Sequence, residues 1–164
     1  MGKLLGKFDF VLILLQCLGL QSIFAGIYRL YVAYNAEEWD LLLGKSTNTY
    51  KTITEARLGE FLGNDLYTKL IIALSIVATV FILNRIFKVG VINNVLVILL
   101  TLVFTKSLFY ASPYFMWKTE YYSQVLVKST KSVFLMSGLF FLILGTAVIW
   151  KSLVLNVTSR QNTQ

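Results

Sequence analysis

The sequence predicts an all-α polytopic membrane protein, with four transmembrane helices in an antiparallel bundle and short interfacial helices in the outer loops. Three observations predict it. Hydrophobic residues make up 57% of the 164-residue chain and charged ones 14%, where a soluble domain carries about 25% charged residues. The apolar runs are long enough to cross a hydrocarbon core of about 30 Å. The polar stretches between them are too short to fold as separate domains, so residues 1–164 form one membrane domain.

The first span covers residues 8–34. From Phe10 to Tyr34 a helix would be roughly 37 Å long, enough to cross with tilt. Lys3 and Lys7 ahead of an apolar run also resemble the start of a signal peptide. The run is too long for that, and Ile23-Phe24-Ala25 lacks the small residue that a cleavage site requires.

Residues 35–66 form the larger outer loop. The stretch from Asn35 to Lys69 holds six of the eight acidic residues: Glu37, Glu38, Asp40, Glu55, Glu60 and Asp65. Two pieces read as helical, Ala36 to Leu43, stopped by Gly44, and Thr54 to Leu66, where Leu58, Phe61, Leu62 and Leu66 recur at helical spacing. With Trp39 they are expected on the membrane surface or folded over the mouth of the bundle.

A second span is predicted over residues 67–87, with Asn64 or Asp65 as its N-cap. The connection Asn84 to Gly90 is so short that the third span, residues 91–110, must return as a hairpin. That span contains Asn93, Asn94 and Lys106. Residues 111–132 make an aromatic outer loop with Pro113, Trp117, Tyr121 and Tyr122, and the fourth span covers 133–151. The polar tail, 156–164, is expected to be disordered.

Four spans put both termini on one side. The short segments on that side carry Lys3, Lys7, Arg85, Lys88, Lys151 and Arg160, and this density of basic residues places both termini in the cytoplasm. The Lys, Asn and Tyr usage is associated with AT-rich prokaryotic codons, which gives a prokaryotic inner membrane as the expected location.

Composition excludes several chemistries. The chain has no histidine, which removes His-ligated haem, zinc or copper and a Ser-His-Asp triad. Its one cysteine, Cys17, supports neither an intrachain disulfide nor a thiolate metal site. No catalytic residue set, metal site or built-in cofactor is therefore expected. The net charge of +7 comes mostly from basic residues at the ends of apolar runs, where they serve topology and lipid headgroups rather than nucleic acid.

Inside the spans, the informative residues are those that would be costly facing lipid. The first span is the most polar, with Gln16, Cys17, Gln21, Ser22 and Arg29. Cys17, Gln21, Ala25 and Tyr28 share a face that should point into the bundle. Two readings stay open: a ligand, quinone or ion cavity lined by Gln16, Gln21, Tyr28 and Arg29, or amides that hydrogen-bond neighbouring helices. Arg29 could snorkel to the interface or pair with Glu37 or Glu60, and Lys106 poses the same question. No span has a central Asp or Glu, which argues against a proton relay built on a buried carboxylate. Gly19 and Gly26, like Gly138 and Gly145, are seven residues apart. Each pair forms a smooth strip suited to close helix packing, of the first span on the fourth or on a partner subunit.

The order of parts, together with Gly19-Leu20-Gln21-Ser22-Ile23-Phe24-Ala25-Gly26-Ile27-Tyr28-Arg29-Leu30 and Leu83-Asn84-Arg85, resembles the DoxX-like and MauE-like four-helix membrane proteins. The resemblance implies a redox-associated membrane subunit close to quinone chemistry. Leu70 to Leu83 lacks the glutamate and glycines that family members often carry there, and the MauE-like cysteine pair has no counterpart.

The leading functional expectation is a non-catalytic integral subunit that scaffolds or completes a larger membrane enzyme or transport complex, with lipids and other membrane subunits as partners. The alternative is a DoxX-like redox-accessory protein that binds a lipid or quinone. A homo-oligomeric channel comes third, because no span shows a continuous polar stripe.

Overall fold

The computed structural model describes residues 8–42, 55–104 and 129–161, and these are helical, with no strand among them. The helices are α1 (Phe10–Tyr34), α2 (Ala36–Leu42), α3 (Glu55–Ile86), α4 (Val91–Phe104) and α5 (Thr130–Gln161). Three are long and apolar enough to cross a membrane, over Phe10–Tyr34, Gly59–Ile86 and Thr130–Thr158, which marks a multi-pass membrane protein. The predicted third span begins as α4, a shorter apolar helix. Residues 105–110, its expected second part, lie outside the described residues, as do Lys106, Gly44 and Pro113.

α1 is the central helix. Its start is set by Asp9, whose carboxylate accepts from the backbone N–H of Leu12 at 2.9 Å and so satisfies one orphan donor of the first turn. Its end is set by Asn35, whose backbone and side-chain nitrogens both donate to Tyr31 O. Asn35 O then accepts from Trp39 N, and the chain turns directly into α2. Trp39 lies edge-on to Phe61 of α3 at 5.2 Å, within a cluster that includes Tyr28, Val32, Ala33 and Phe134.

α5 meets α1 through glycine. A Cβ added to Gly19 would lie 3.1 Å from Gly145 O, and one on Gly26 would lie 2.9 Å from Gly138 O. The backbones of the two helices are thus in contact, which only glycine permits at these positions. Numbering rises along α1 as it falls along α5. Beyond the glycines, Ile149 and Leu153 join Leu12, Ile13, Leu20 and Phe24 in the apolar core, with Ile76 and Val80 from α3 and Val97 from α4.

The boundaries of two helices differ from the sequence prediction. α3 starts at Glu55 and runs unbroken to Ile86, so the interfacial piece Thr54–Leu66 and the span 67–87 are one helix. Asn64 and Asp65 are interior to it and cap nothing. The physical reason is that Asp65 has better partners than a helix end: Lys69, four residues on, and Tyr28 across the interface. α5 starts at Thr130 rather than 133 and runs to Gln161, through most of the stretch expected as a disordered tail. Leu153 is buried in the core, and Asn156 donates to Phe87 O at 3.3 Å, satisfying a carbonyl that the end of α3 leaves without a helical donor.

The α3–α4 connection is a Schellman turn. Val89 N donates to Asn84 O at 2.8 Å and Lys88 N to Arg85 O at 3.2 Å, with Lys88 at φ 56°, a left-handed position more often held by glycine. Val89 is buried in the apolar core against which Leu83 also packs, in keeping with the apolar contact that accompanies this motif. Gly90 O then accepts from Asn94 N in the first turn of α4.

Candidate functional site

The polar residues of α1 engage α3 at two places, one toward each end. At the hairpin end lies an amide cluster. Gln16 and Asn84, both with no exposed surface, exchange hydrogen bonds: Gln16 Nε2 donates to Asn84 Oδ1 at 2.7 Å, and Asn84 Nδ2 donates to Gln16 Oε1 at 2.8 Å. The second Asn84 proton goes to Asn94 Oδ1 at 3.0 Å, so one amide joins α1, α3 and α4. Beside it, Asn93 Oδ1 accepts from Asp9 N at 3.0 Å and ties the start of α1 to the start of α4. In a membrane interior such bonds contribute about 0.6 to 2 kcal/mol each, and an amide left without them would be costly.

At the other end lies a charged node. Asp65 Oδ1 accepts from the Tyr28 hydroxyl at 3.0 Å, and Asp65 Oδ2 accepts from Lys69 Nζ at 2.6 Å. The Lys69 ammonium also stands 4.7 Å from the centroid of the Tyr28 ring, a cation–π geometry. All three residues are buried, at 4% to 7% exposure. Phe24 and Tyr31 stack on either side of Tyr28 and hold its ring in place. Asp65 lies near the outer end of the Gly59–Ile86 candidate span, so that span holds a buried carboxylate, though not a central one. The sequence places Asp65 in the outer loop or at an N-cap because the polar residues around it hide a helix that continues from Glu55.

The four candidate ligand residues have separate partners. Gln16 and Tyr28 meet α3 at its opposite ends, and Gln21 Nε2 donates to Thr101 O of α4 at 3.2 Å. Arg29 is buried, its guanidinium 4.4 Å from the centroid of the Phe141 ring on α5, with a longer bond to Ala25 O at 3.4 Å. The guanidinium is thus held inside the bundle, in cation–π geometry with Phe141. Cys17 is likewise inside the bundle, its thiol 3.8 Å from Val97 O. Among the described residues no group of three or more metal-ligating side chains converges.

A cavity among the described residues lies elsewhere. A groove of about 640 Å³ runs between α1, α3 and α5, with Ile23 and Ile27 at its floor, Ile76 and Val80 on one wall, and Ile149 and Trp150 on the other. This volume is in the range of small-molecule sites, roughly 300–1,000 Å³. None of Gln16, Gln21, Tyr28 or Arg29 lines it. Thr79 and Thr146 do, but their hydroxyls bond to carbonyls of their own helices, so the groove is apolar in character. Sequence reasoning missed the groove, Asp65, Lys69 and the role of Asn84. The Asp65–Lys69 spacing of four was a visible signal, whereas the groove depends on how far apart α3 and α5 are set. Compared with known families, curated proteins and solved structures, the chain matches none.

Proposed function

We propose that this chain is a non-catalytic integral membrane subunit, a four-span antiparallel bundle with both termini cytoplasmic, that scaffolds or completes a larger membrane complex. The observation that supports this reading is the bareness of α3. Only 17% of its apolar 18-residue stretch is buried, against 44% for that of α1. Its outward residues Ile71, Leu74, Phe81 and Ile82 are large and apolar, a surface for lipid or for the helix of another subunit. Gln16, Gln21 and Tyr28 of α1, meanwhile, are engaged with α3 and α4 of the same chain. Purification from the native membrane in mild detergent, with mass analysis of every accompanying polypeptide, tests the proposal. Stoichiometric recovery of larger membrane subunits is the expected result, and recovery of the chain alone as an active monomer overturns it.

A second reading, a lipid- or quinone-binding protein of the redox-accessory kind, is favoured by the apolar groove. On this reading the ligand lies against Ile76, Ile149 and Trp150 rather than among the polar residues of α1.

A further inference from the structure

We propose that α3 is a swinging arm, hinged at its hairpin end and latched open at its outer end by two phenols of α1, and that the groove is the gap it leaves when latched. Release of the latch lets α3 close on α5 and shuts the groove. The inference concerns the helices themselves and goes beyond either reading of function.

Helical spacing shows that α3 and α5 diverge. Gly19 and Gly26, which touch α5, are seven residues apart and so lie on nearly one line along α1. The residues of α1 that bond α3 do not share one line. Gln16, at the hairpin end, is three residues from Gly19 and about 60° from it around the helix, whereas Tyr28, at the outer end, is two residues from Gly26 and about 160° from it. α3 therefore crosses α1 and departs from α5 toward the outer end. The groove follows this divergence: its lining on α3 continues outward to Ile71, whereas on α5 it stops at Thr146.

The hinge end is fixed three times. Asn84 exchanges hydrogen bonds with Gln16, the Phe87 ring meets Trp150 edge to face at 6.3 Å, and Phe87 O accepts from Asn156. At the outer end two phenols of α1 bond α3, Tyr28 to Asp65 and Tyr31 to Thr68, with the Trp39–Phe61 ring contact beside them. The Asp65–Lys69 pair lies within α3 and travels with it, so release strands no charge. Across the gap the two helices carry matching seams. Ile72, Ile76 and Thr79 on α3 and Thr146, Ile149 and Leu153 on α5 line the groove at spacings of three and four, the pattern with which packed helices interlock, yet the two backbones stay apart along them. Lipid tails are as apolar as these seams, so closure gains packing alone, a balance small enough for two hydrogen bonds to decide.

Double electron–electron resonance on the full chain in lipid nanodiscs, in a Cys17→Ser background, tests this with spin labels at exposed positions. The outer pair is Ile71 and Phe140, and the hinge pair is Ile86 and Val154. The outer pair should show the long distance of the structure together with a shorter one, in which the helices reach a packed separation of about 8–10 Å between axes. The hinge pair should show one distance. The double variant Tyr28→Phe, Tyr31→Phe should raise the ratio of short to long about tenfold, the effect of two hydrogen bonds between membrane helices. Thr79→Trp, a wedge in the seam at an exposed position, should abolish the short distance, and Thr146→Trp supplies the wedge from α5 if Thr79→Trp does not fold. A single long outer distance in both the wild-type chain and the double variant overturns the proposal. So does a short distance that survives the wedge, or a hinge pair as broadly distributed as the outer one.

Discussion

Replacing Asp65 with leucine should be the most destabilising single change at a polar position, with a loss of about 3 to 5 kcal/mol in unfolding free energy. The carboxylate accepts from both Tyr28 and Lys69, and all three groups are buried. Removing it leaves an ammonium and a phenol hydroxyl without the oxygen atoms around which they are arranged. The size of the effect reflects that stranded charge rather than the value of the pair, because two buried ions gain from each other little more than they lost on leaving water. The double variant Asp65→Leu, Lys69→Met should therefore recover most of the loss. Thermal unfolding in detergent of the two single variants and the double variant checks this. Additive losses would show that the two side chains act independently, contrary to the 2.6 Å contact between them.

Gly145→Leu should separate α1 from α5 and cost about 1 to 3 kcal/mol or more through overpacking. Even the first added carbon would lie 2.7 Å from Gly19 O and 2.8 Å from Ile23 N. Both are backbone atoms that cannot rotate aside, so relief requires the helices to move apart along their whole contact. Gly59 and Gly63 provide an internal comparison in the same chain. A Cβ at either meets nothing within 4 Å, so Gly59→Ala and Gly63→Ala should leave stability unchanged or raise it by up to about 1 kcal/mol through helix propensity. Unfolding midpoints that fall equally for Gly145→Leu and Gly63→Ala would contradict the close-contact assignment.

The contrast between these glycines marks what was legible in the sequence. Gly19, Gly26, Gly138 and Gly145 stood out because a spacing of seven keeps residues on one helix face, and that face is where α1 and α5 touch. The polar character of α1 was equally visible, and it belongs to the helix that the others surround. The apolar lengths likewise identify membrane-crossing helices from composition alone. Helix ends were less legible. Asp65 reads as a cap because aspartate usually caps, and only the position of Tyr28 on another helix shows why it is interior. Asn156 reads as the start of a polar tail, yet its amide serves the Phe87 carbonyl, 69 residues earlier in the chain. Partner choice across helices depends on crossing geometry, which one-dimensional spacing does not carry. The same limit explains why Gln16, Gln21, Tyr28 and Arg29, close together on one helix, have partners on three different ones, and why the groove was invisible before the helices were placed.

On the proposed reading, the buried polar groups of α1 bind helices together and leave ligand contact to the apolar groove. A double-mutant cycle on Gln16 and Asn84, read by both unfolding and retained small molecules, tests it most directly. Gln16→Leu and Asn84→Leu should each destabilise the protein, and the double variant should lose less than their sum, by a coupling of about 0.6 to 1.7 kcal/mol, while the retained lipid or quinone stays the same. Single variants that keep full stability but lose the bound small molecule would contradict the claim and make Gln16 part of a ligand site.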